Sequence, residues 1–189
     1  DSFKSVSRYF DRITRPEQIL TSLPQAINVM LDPADCGPAV ISMSQDVQGE
    51  AYDYPEIFFE EKIHEIRRIH PDPNQIQKAA DKLKQSKQPI IISGGGVLYS
   101  EAEEEISAFA KKHNIPVTAT VMGIGCMNKD DPYYISAIGC LGEGSSNNLA
   151  TDTDLALAVG TKLGDFTTGS WTNFENENFQ LVSINTSRF

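Results

Sequence analysis

Pro89-Ile90-Ile91-Ile92-Ser93-Gly94-Gly95-Gly96 decides the fold. Five residues of which three are isoleucine, closed by a triple glycine, read as a strand buried on both faces that ends in a tight turn. Before it, Ile76, Ala79, Ala80 and Leu83 form one apolar stripe and predict a helix over 74–85. After it, Ser100 and Glu103 have the spacing of a capping box, and Ala102, Ile106, Phe109 and Ala110 supply the buried stripe of the next helix. Lys111, Lys112 and His113 suit the negative end of that helix. Further apolar runs at 116–121, 155–159 and 180–184 predict three more strands, with a short helix near 145–151 between the first two. Continuous apolar strands alternating with helices predict an α/β fold, a Rossmann-like parallel sheet with helices on both faces, over 74–189.

Upstream the pattern is less regular. Lys4 to Arg15 is polar and basic and offers few core positions. Thr14 and Glu17 then have capping-box spacing, and Ile19, Leu20, Leu23, Ile27, Met30 and Leu31 recur at helical intervals, with Pro24 expected to kink or split the helix. Ala39 to Met43 reads as a short strand. One helix and one strand do not make a domain, so residues 1–50 are expected to be the end of a preceding one. The segment 51–73 is acidic, aromatic and proline-marked without a sustained period; it is expected to be an interdomain linker whose rings lie against protein. Asp1 without an initiator methionine, and Phe189 straight after an apolar run, read as the ends of an excised segment, with the 74–189 domain truncated at its C-terminus.

Composition limits the function classes. A formal charge of −10 disfavours nucleic acid and anionic membranes as partners, and no apolar run approaches the ~20 residues of a membrane span. Cys36, Cys126 and Cys140 fit neither a disulfide framework nor a metal-ligand spacing; they are expected to be reduced, buried thiols in a cytoplasmic protein.

Several residues invite a site. Gly94, Gly95 and Gly96 follow a strand, where backbone N–H groups can hold a phosphate. Against this, dinucleotide spacing would require glycine where Tyr99 stands, no acidic residue closes the next strand, and Glu101, Glu103, Glu104 and Glu105 would repel an anion. A structural turn is the preferred reading and nucleotide contact the alternative. His64, His70 and His113 lack any paired nucleophile, and Asp152 and Asp154 read as caps at a strand entrance. Gly160 closes the strand at 155–159, and the loop beyond it, Gly164-Asp165-Phe166-Thr167-Thr168-Gly169-Ser170-Trp171, lies where open α/β sheets bind ligands. It is read equally as a binding or an interface loop. Gly94, Gly95, Gly96, Gly160, Asp165 and Thr168 are therefore the candidate nucleotide-type site, with no catalytic residue and no metal ligand among the 189 residues.

The run 89–96, then Ile115-Pro116-Val117-Thr118-Ala119-Thr120-Val121-Met122-Gly123-Ile124-Gly125, then Asp154-Leu155-Ala156-Leu157-Ala158-Val159-Gly160-Thr161, resemble the central domain of thiamine-diphosphate enzymes of the acetohydroxyacid synthase type. Gly37 to Gln48 resembles the segment closing their pyrimidine-binding domain. Ser7-Arg8-Tyr9-Phe10-Asp11-Arg12-Ile13-Thr14-Arg15-Pro16-Glu17-Gln18 and the stretch 159–170 are similar, more narrowly, to the ring-opening hydrolases that act on a cyclic trihydroxy-dione in myo-inositol catabolism, a family also labelled malonic semialdehyde oxidative decarboxylase. The resemblance implies a parent enzyme, cytoplasmic and homo-oligomeric, that uses thiamine diphosphate and Mg²⁺ to cleave a C–C bond of a polyol-derived substrate. An acetolactate synthase-type carboligase, a malonic semialdehyde decarboxylase, and an FAD or ADP module are the alternatives. The required glutamate and the GDG motif that would hold the metal diphosphate are absent from this chain, so its partners would be other domains of the same polypeptide. Related synthases bind FAD through an arginine-bearing loop; here Lys162-Leu163-Gly164-Asp165-Phe166-Thr167-Thr168-Gly169 has no arginine, and FAD is not expected.

Overall fold

The three isoleucines at 90–92 lie at the centre of a five-stranded sheet in the computed structural model, which describes residues 1–187. Positions 188 and 189, which close the predicted 74–189 domain, lie outside the described residues. The chain divides into two compact units, Asp1–His70 and Pro71–Phe189.

In the first unit, β1 (Tyr9–Ile13) and β2 (Ala39–Met43) pair in parallel, from Tyr9 against Ala39 to Ile13 against Met43. The helix α1 (Ile19–Met30) packs on both strands and buries Ser22 and Ala26. Strand β1 falls inside the stretch expected to be polar and coreless. Asp11 and Arg12 mask its apolar alternation, yet Ile13 is fully buried and Asp11 accepts a hydrogen bond from the Ser22 hydroxyl. Pro24 does not split α1, which runs as one helix through it. The helix start also differs from the expected Thr14–Glu17 box. The Gln18 side-chain oxygen accepts instead from the amides of Thr14 (2.7 Å) and Arg15 (3.0 Å), and a 3-10 turn over Pro16–Gln18 leads into α1. A short helix, α2 (Gln45–Gln48), follows β2. In the expected linker, Tyr52, Tyr54, Phe58 and Phe59 contact one another edge-on or stacked, with centroids 4.9 to 6.1 Å apart. The rings thus shelter mainly among themselves, and Phe59 remains exposed.

The second unit opens with α3 (Pro73–Gln85), started by Asp72, whose carboxylate accepts from the amides of Asn74 and Gln75. Then come β3 (Pro89–Ser93), α4 (Gly95–Tyr99), α5 (Glu103–His113), β4 (Val117–Ala119), β5 (Tyr134–Ala137), α6 (Gly144–Asp152), β6 (Leu155–Val159), α7 (Asp165–Thr168) and β7 (Gln180–Ile184). All pairings are parallel, in the order β5-β4-β3-β6-β7. Ile91 packs with Val97, Ile106 and Ala110 on one face, while Ile90 and Ile92 pack with Ala150, Ala156 and Ala158 on the other. Burying each isoleucine contributes about 1.5–3 kcal/mol. The expected Rossmann-like α/β sandwich is present.

Three local expectations fail. Ser100 does not cap α5; it ends α4, and α5 begins after Ala102 with no side-chain cap. Of the three cysteines only Cys126 is buried, whereas Cys36 and Cys140 are exposed. Strand β5 arises where no strand is expected, because four residues, Tyr134-Ile135-Ser136-Ala137, are too few to show a period.

The amino-terminal ends of the strands are fastened by Asp154. Its carboxylate accepts from the Ser86 hydroxyl and from the amides of Lys87 (2.8 Å) and Gln88 (3.1 Å), and its carbonyl accepts from Gln180 N at 2.9 Å. Burial alone would raise this carboxyl, but the hydrogen bonds outweigh it and hold the group below the ordinary carboxylate range. A lowered native value stabilises the fold at every pH above the unfolded value of about 3.9, and that stabilisation is lost as pH falls through the native value. Asp154→Asn is accordingly expected to lower stability near neutrality and to weaken its dependence on pH below about 4. Denaturant unfolding followed by circular dichroism across pH 3–6 measures this; an unchanged pH profile would show that these contacts contribute nothing.

Candidate functional site

The carboxyl ends of β3 and β6 meet through glycines. Gly94 N donates to Val159 O at 2.8 Å, Gly96 N donates to Gly160 O at 2.9 Å, and Gly160 N donates to Ile184 O at 2.8 Å. These amides bind neighbouring strand ends, so they are not presented to a phosphate. The contact is also sterically closed. A Cβ at Gly96 would lie 2.6 Å from Gly160 Cα, one at Gly94 would overlap the Gly160 carbonyl, and Gly160 has φ +62°. Gly95 is looser, with its nearest neighbour, Met122 O, at 3.1 Å from a built Cβ. The triple glycine is thus a packing device where three strands converge.

Asp165 and Thr168 lie together on α7 but do not face an open cradle. Asp165 is exposed at the first position of this four-residue helix. Thr168 is buried, and its hydroxyl accepts from Trp171 N at 3.1 Å. Gly169, Ser170 and Trp171 follow with φ of 57°, 55° and 67°, three left-handed residues in succession. For Ser170 and Trp171 this costs roughly 1–2 kcal/mol each. It is offset by hydrogen bonds from Ser170 N to Asp165 O (3.1 Å) and from Thr172 N to Gly169 O (3.1 Å).

This turn is joined to the loop after β5. Cys140 N donates to Phe166 O at 2.7 Å, and the Asn147 side chain accepts from Gly139 N (2.9 Å) while donating to Gly139 O (3.1 Å). Asn173 Nδ2 reaches the same Asn147 oxygen at 3.4 Å. The two loops present Leu141, Phe166 (71% exposed) and Trp171 (48% exposed) at the strand ends, and Met122 is exposed after β4. The sequence marks the Phe166 to Trp171 loop but carries no local signal for Asn147, whose partners are 8 and 26 residues away.

Ser93 ends β3 with a buried hydroxyl beside the Cys126 thiol. Burial pushes the Cys126 thiol up, more than the nearby Ser93 hydroxyl draws it down, and Glu103 adds to the rise. Burial thus favours the protonated thiol over the thiolate nucleophile. His64 and His70 lie on the exposed segment of the first unit, and His113 ends α5 with its ring 4.5 Å from that of Phe109. Open cavities of ≈390 Å³ and ≈560 Å³ are lined by Glu103, Ser107, Met127 and Asp131, and by Gln88, Asp152, Glu175 and Asn176. Neither is lined by a candidate glycine, Asp165 or Thr168. Among the described residues no three His, Cys, Asp or Glu side chains converge to hold a metal ion, and no helix is long and apolar enough to cross a membrane.

A parallel sheet with helices on both faces defines the second unit as a Rossmann-like α/β domain. The chain belongs to the family described as thiamine pyrophosphate enzyme, central domain, whose model matches residues 76–189. Over all 189 residues it is 42% identical to the 3D-(3,5/4)-trihydroxycyclohexane-1,2-dione hydrolase 1 of Bacillus cereus. It is likewise 42% identical to the 3D-(3,5/4)-trihydroxycyclohexane-1,2-dione hydrolase of Bacillus thuringiensis, and 43% to that of Clostridium tetani. The chain spans 29% of the length of each of these relatives.

The glycine contact predicts a graded response. Gly160→Ala adds a Cβ against Gly96 at positive φ and is expected to destabilise by at least about 2 kcal/mol. Gly164→Ala, at φ −69° with nothing within 4 Å of a built Cβ, should stay within about 0.5 kcal/mol. Thermal unfolding of the two variants tests this, and equal effects would refute the packing role.

Proposed function

We propose that this chain is the middle of a thiamine-diphosphate-dependent hydrolase that opens a cyclic trihydroxy-dione, and that it serves there as scaffold and interface. The carrying observation is the similarity to such hydrolases along all 189 residues, at 42–43% identity. The internal use of the Gly94, Gly96 and Gly160 amides supports the scaffold role.

When bound, thiamine diphosphate supplies the carbanion chemistry of C–C cleavage, with Mg²⁺ anchoring its diphosphate. The side chains of this chain do not fit that group, since no carboxylate cluster forms among the described residues; no step of the reaction is assigned to them. What they do is hold geometry. Asp154 fastens the strands at one end, the glycines pack them at the other, and the Asn147 clamp fixes Leu141, Phe166 and Trp171 as an apolar rim for other domains of the polypeptide. Exposed large apolar side chains gathered in this way mark an interaction surface. The reading extends to a cytoplasmic, homo-oligomeric enzyme acting on a small polyol-derived substrate, with neither nucleic acid nor membrane as partner, consistent with the charge of −10.

The full-length protein, supplied with thiamine diphosphate and Mg²⁺, is expected to consume 3D-(3,5/4)-trihydroxycyclohexane-1,2-dione and leave pyruvate and malonic semialdehyde untouched. Turnover of pyruvate would favour a carboligase instead, and release of CO₂ from malonic semialdehyde a decarboxylase. FAD is not expected to bind, because the Gly94, Gly96 and Gly160 amides are already paired and the 162–169 loop has no arginine. Isothermal titration with FAD should show no heat of binding; micromolar affinity would overturn the scaffold reading in favour of a nucleotide module.

A further inference from the structure

Trp171 differs from its neighbours on the apolar rim. Its ring packs on Phe174, with centroids 6.0 Å apart, and Phe174 stacks on Phe179 at 4.5 Å; both phenylalanines pack against the core beside Ile90 and Ile92. The indole is thus backed by the body of the domain and still 48% exposed, whereas Leu141 at 68% and Phe166 at 71% stand farther out. Its backbone is held as firmly. Trp171 N donates to Thr168 Oγ1 at 3.1 Å, the Thr168 hydroxyl donates to Gly164 O at 3.4 Å, and Asn173 Nδ2, two residues on, donates to Asn147 Oδ1 at 3.4 Å. These bonds keep Ser170 and Trp171 left-handed, at φ 55° and 67°. Such strain in non-glycine residues persists where the surroundings over-determine it, and it gathers at ligand clamps.

The groups around the indole are polar. Asp165, Ser170 and Thr172 are exposed on the same turn, and Ser170 N donates to Asp165 O at 3.1 Å, which brings the first two together. Aspartate and serine are depleted from protein–protein interfaces, while an aromatic surface with a few convergent polar groups is the usual make-up of a small-molecule site. The position agrees. The turn follows β6, and the strand order reverses between β3 and β6; open α/β sheets bind ligands outside the carboxyl ends of the strands at that point. Gly94, Gly96 and Gly160 close the crevice itself, so a ligand there lies farther out, over the turn.

The compound in the relatives' name is 3D-(3,5/4)-trihydroxycyclohexane-1,2-dione. Hydroxyls 3 and 5 lie on one side of its ring and hydroxyl 4 on the other, so adjacent hydroxyls are trans and all three can be equatorial. The hydroxyls then circle the edge, and both faces of the ring carry only C–H bonds. An apolar face of this size matches an indole, and the edge hydroxyls match the exposed carboxylate of Asp165 and hydroxyl of Ser170.

We infer that Trp171 is a specificity-determining residue, which stacks on one C–H face of the polyol-derived ring in the full-length enzyme. This rests on the proposed function and adds to it the recognition of the substrate; Leu141 and Phe166 remain for contact with other domains. Full-length enzyme with thiamine diphosphate and Mg²⁺ tests it on the dione and on its epimers at C4 and C5, whose axial hydroxyls stand on opposite faces. The wild type should prefer the dione in kcat/KM to the epimer whose hydroxyl meets the indole. Trp171→Ala should raise KM for the dione about tenfold with kcat little changed, and lose most of that preference. Trp171→Phe, which keeps a flat ring, should retain both. The preference is a ratio, so a smaller folded fraction does not move it. An unchanged KM and preference in Trp171→Ala, or an equal loss of activity toward all three compounds, would overturn the stacking alone. A wild-type enzyme inert to the dione overturns the proposed function and the stacking together.

Discussion

Three strands of the larger sheet can end together only because Gly94, Gly96 and Gly160 have no side chains. With Gly96 and Gly160 in contact, the chain leaves β3 directly into α4 and leaves β6 through a left-handed residue into the Thr161 to Trp171 loop. Any side chain there would force β3 and β6 apart. β3 is the central strand and β6 its neighbour, so the loss would spread to the layers packed around Ile90, Ile91 and Ile92. The same closeness pairs the amides of Gly94, Gly96 and Gly160 with neighbouring strand ends. A turn that resembles a phosphate cradle in sequence is thereby committed to holding the sheet together, and a fold of this type does not by itself imply nucleotide binding.

The opposite end of the sheet is fastened by different chemistry. Asp154 gathers the chain entering β3, and its own carbonyl receives the first amide of β7. One end is held by charge-assisted hydrogen bonds and the other by contact between backbones. The first responds to acid and the second does not. The buried Ser93 hydroxyl and Cys126 thiol lie side by side near the glycine end.

Five-residue strands with an apolar run are legible in the sequence because their pattern is local: β3, β6 and β7 match the predicted runs at 89–93, 155–159 and 180–184. Strand β1 is hidden because Asp11 and Arg12 interrupt its alternation, although Asp11 is satisfied by Ser22 eleven residues on. Strand β5 is hidden by brevity. The misplaced Tyr99 and the crowd of glutamates weight the glycine turn toward structure, but its reason lies in Gly160, sixty-four residues beyond Gly96, and no local pattern encodes that contact. Burial of the cysteines is illegible for a similar reason, since residue type gives a preference and the loop carrying Cys140 decides the outcome.

The Asn147 clamp bears on how tightly the apolar rim can be held by whatever covers it. Leu141 and Phe166 stand on loops already tied to each other through Cys140, Gly139 and Asn147, and the turn bearing Trp171 is locked by its own hydrogen bonds. Ordering a loose loop on association costs free energy that subtracts from affinity. Here that ordering is completed when the domain folds, so more of the apolar area buried on the rim is available to hold whatever covers it.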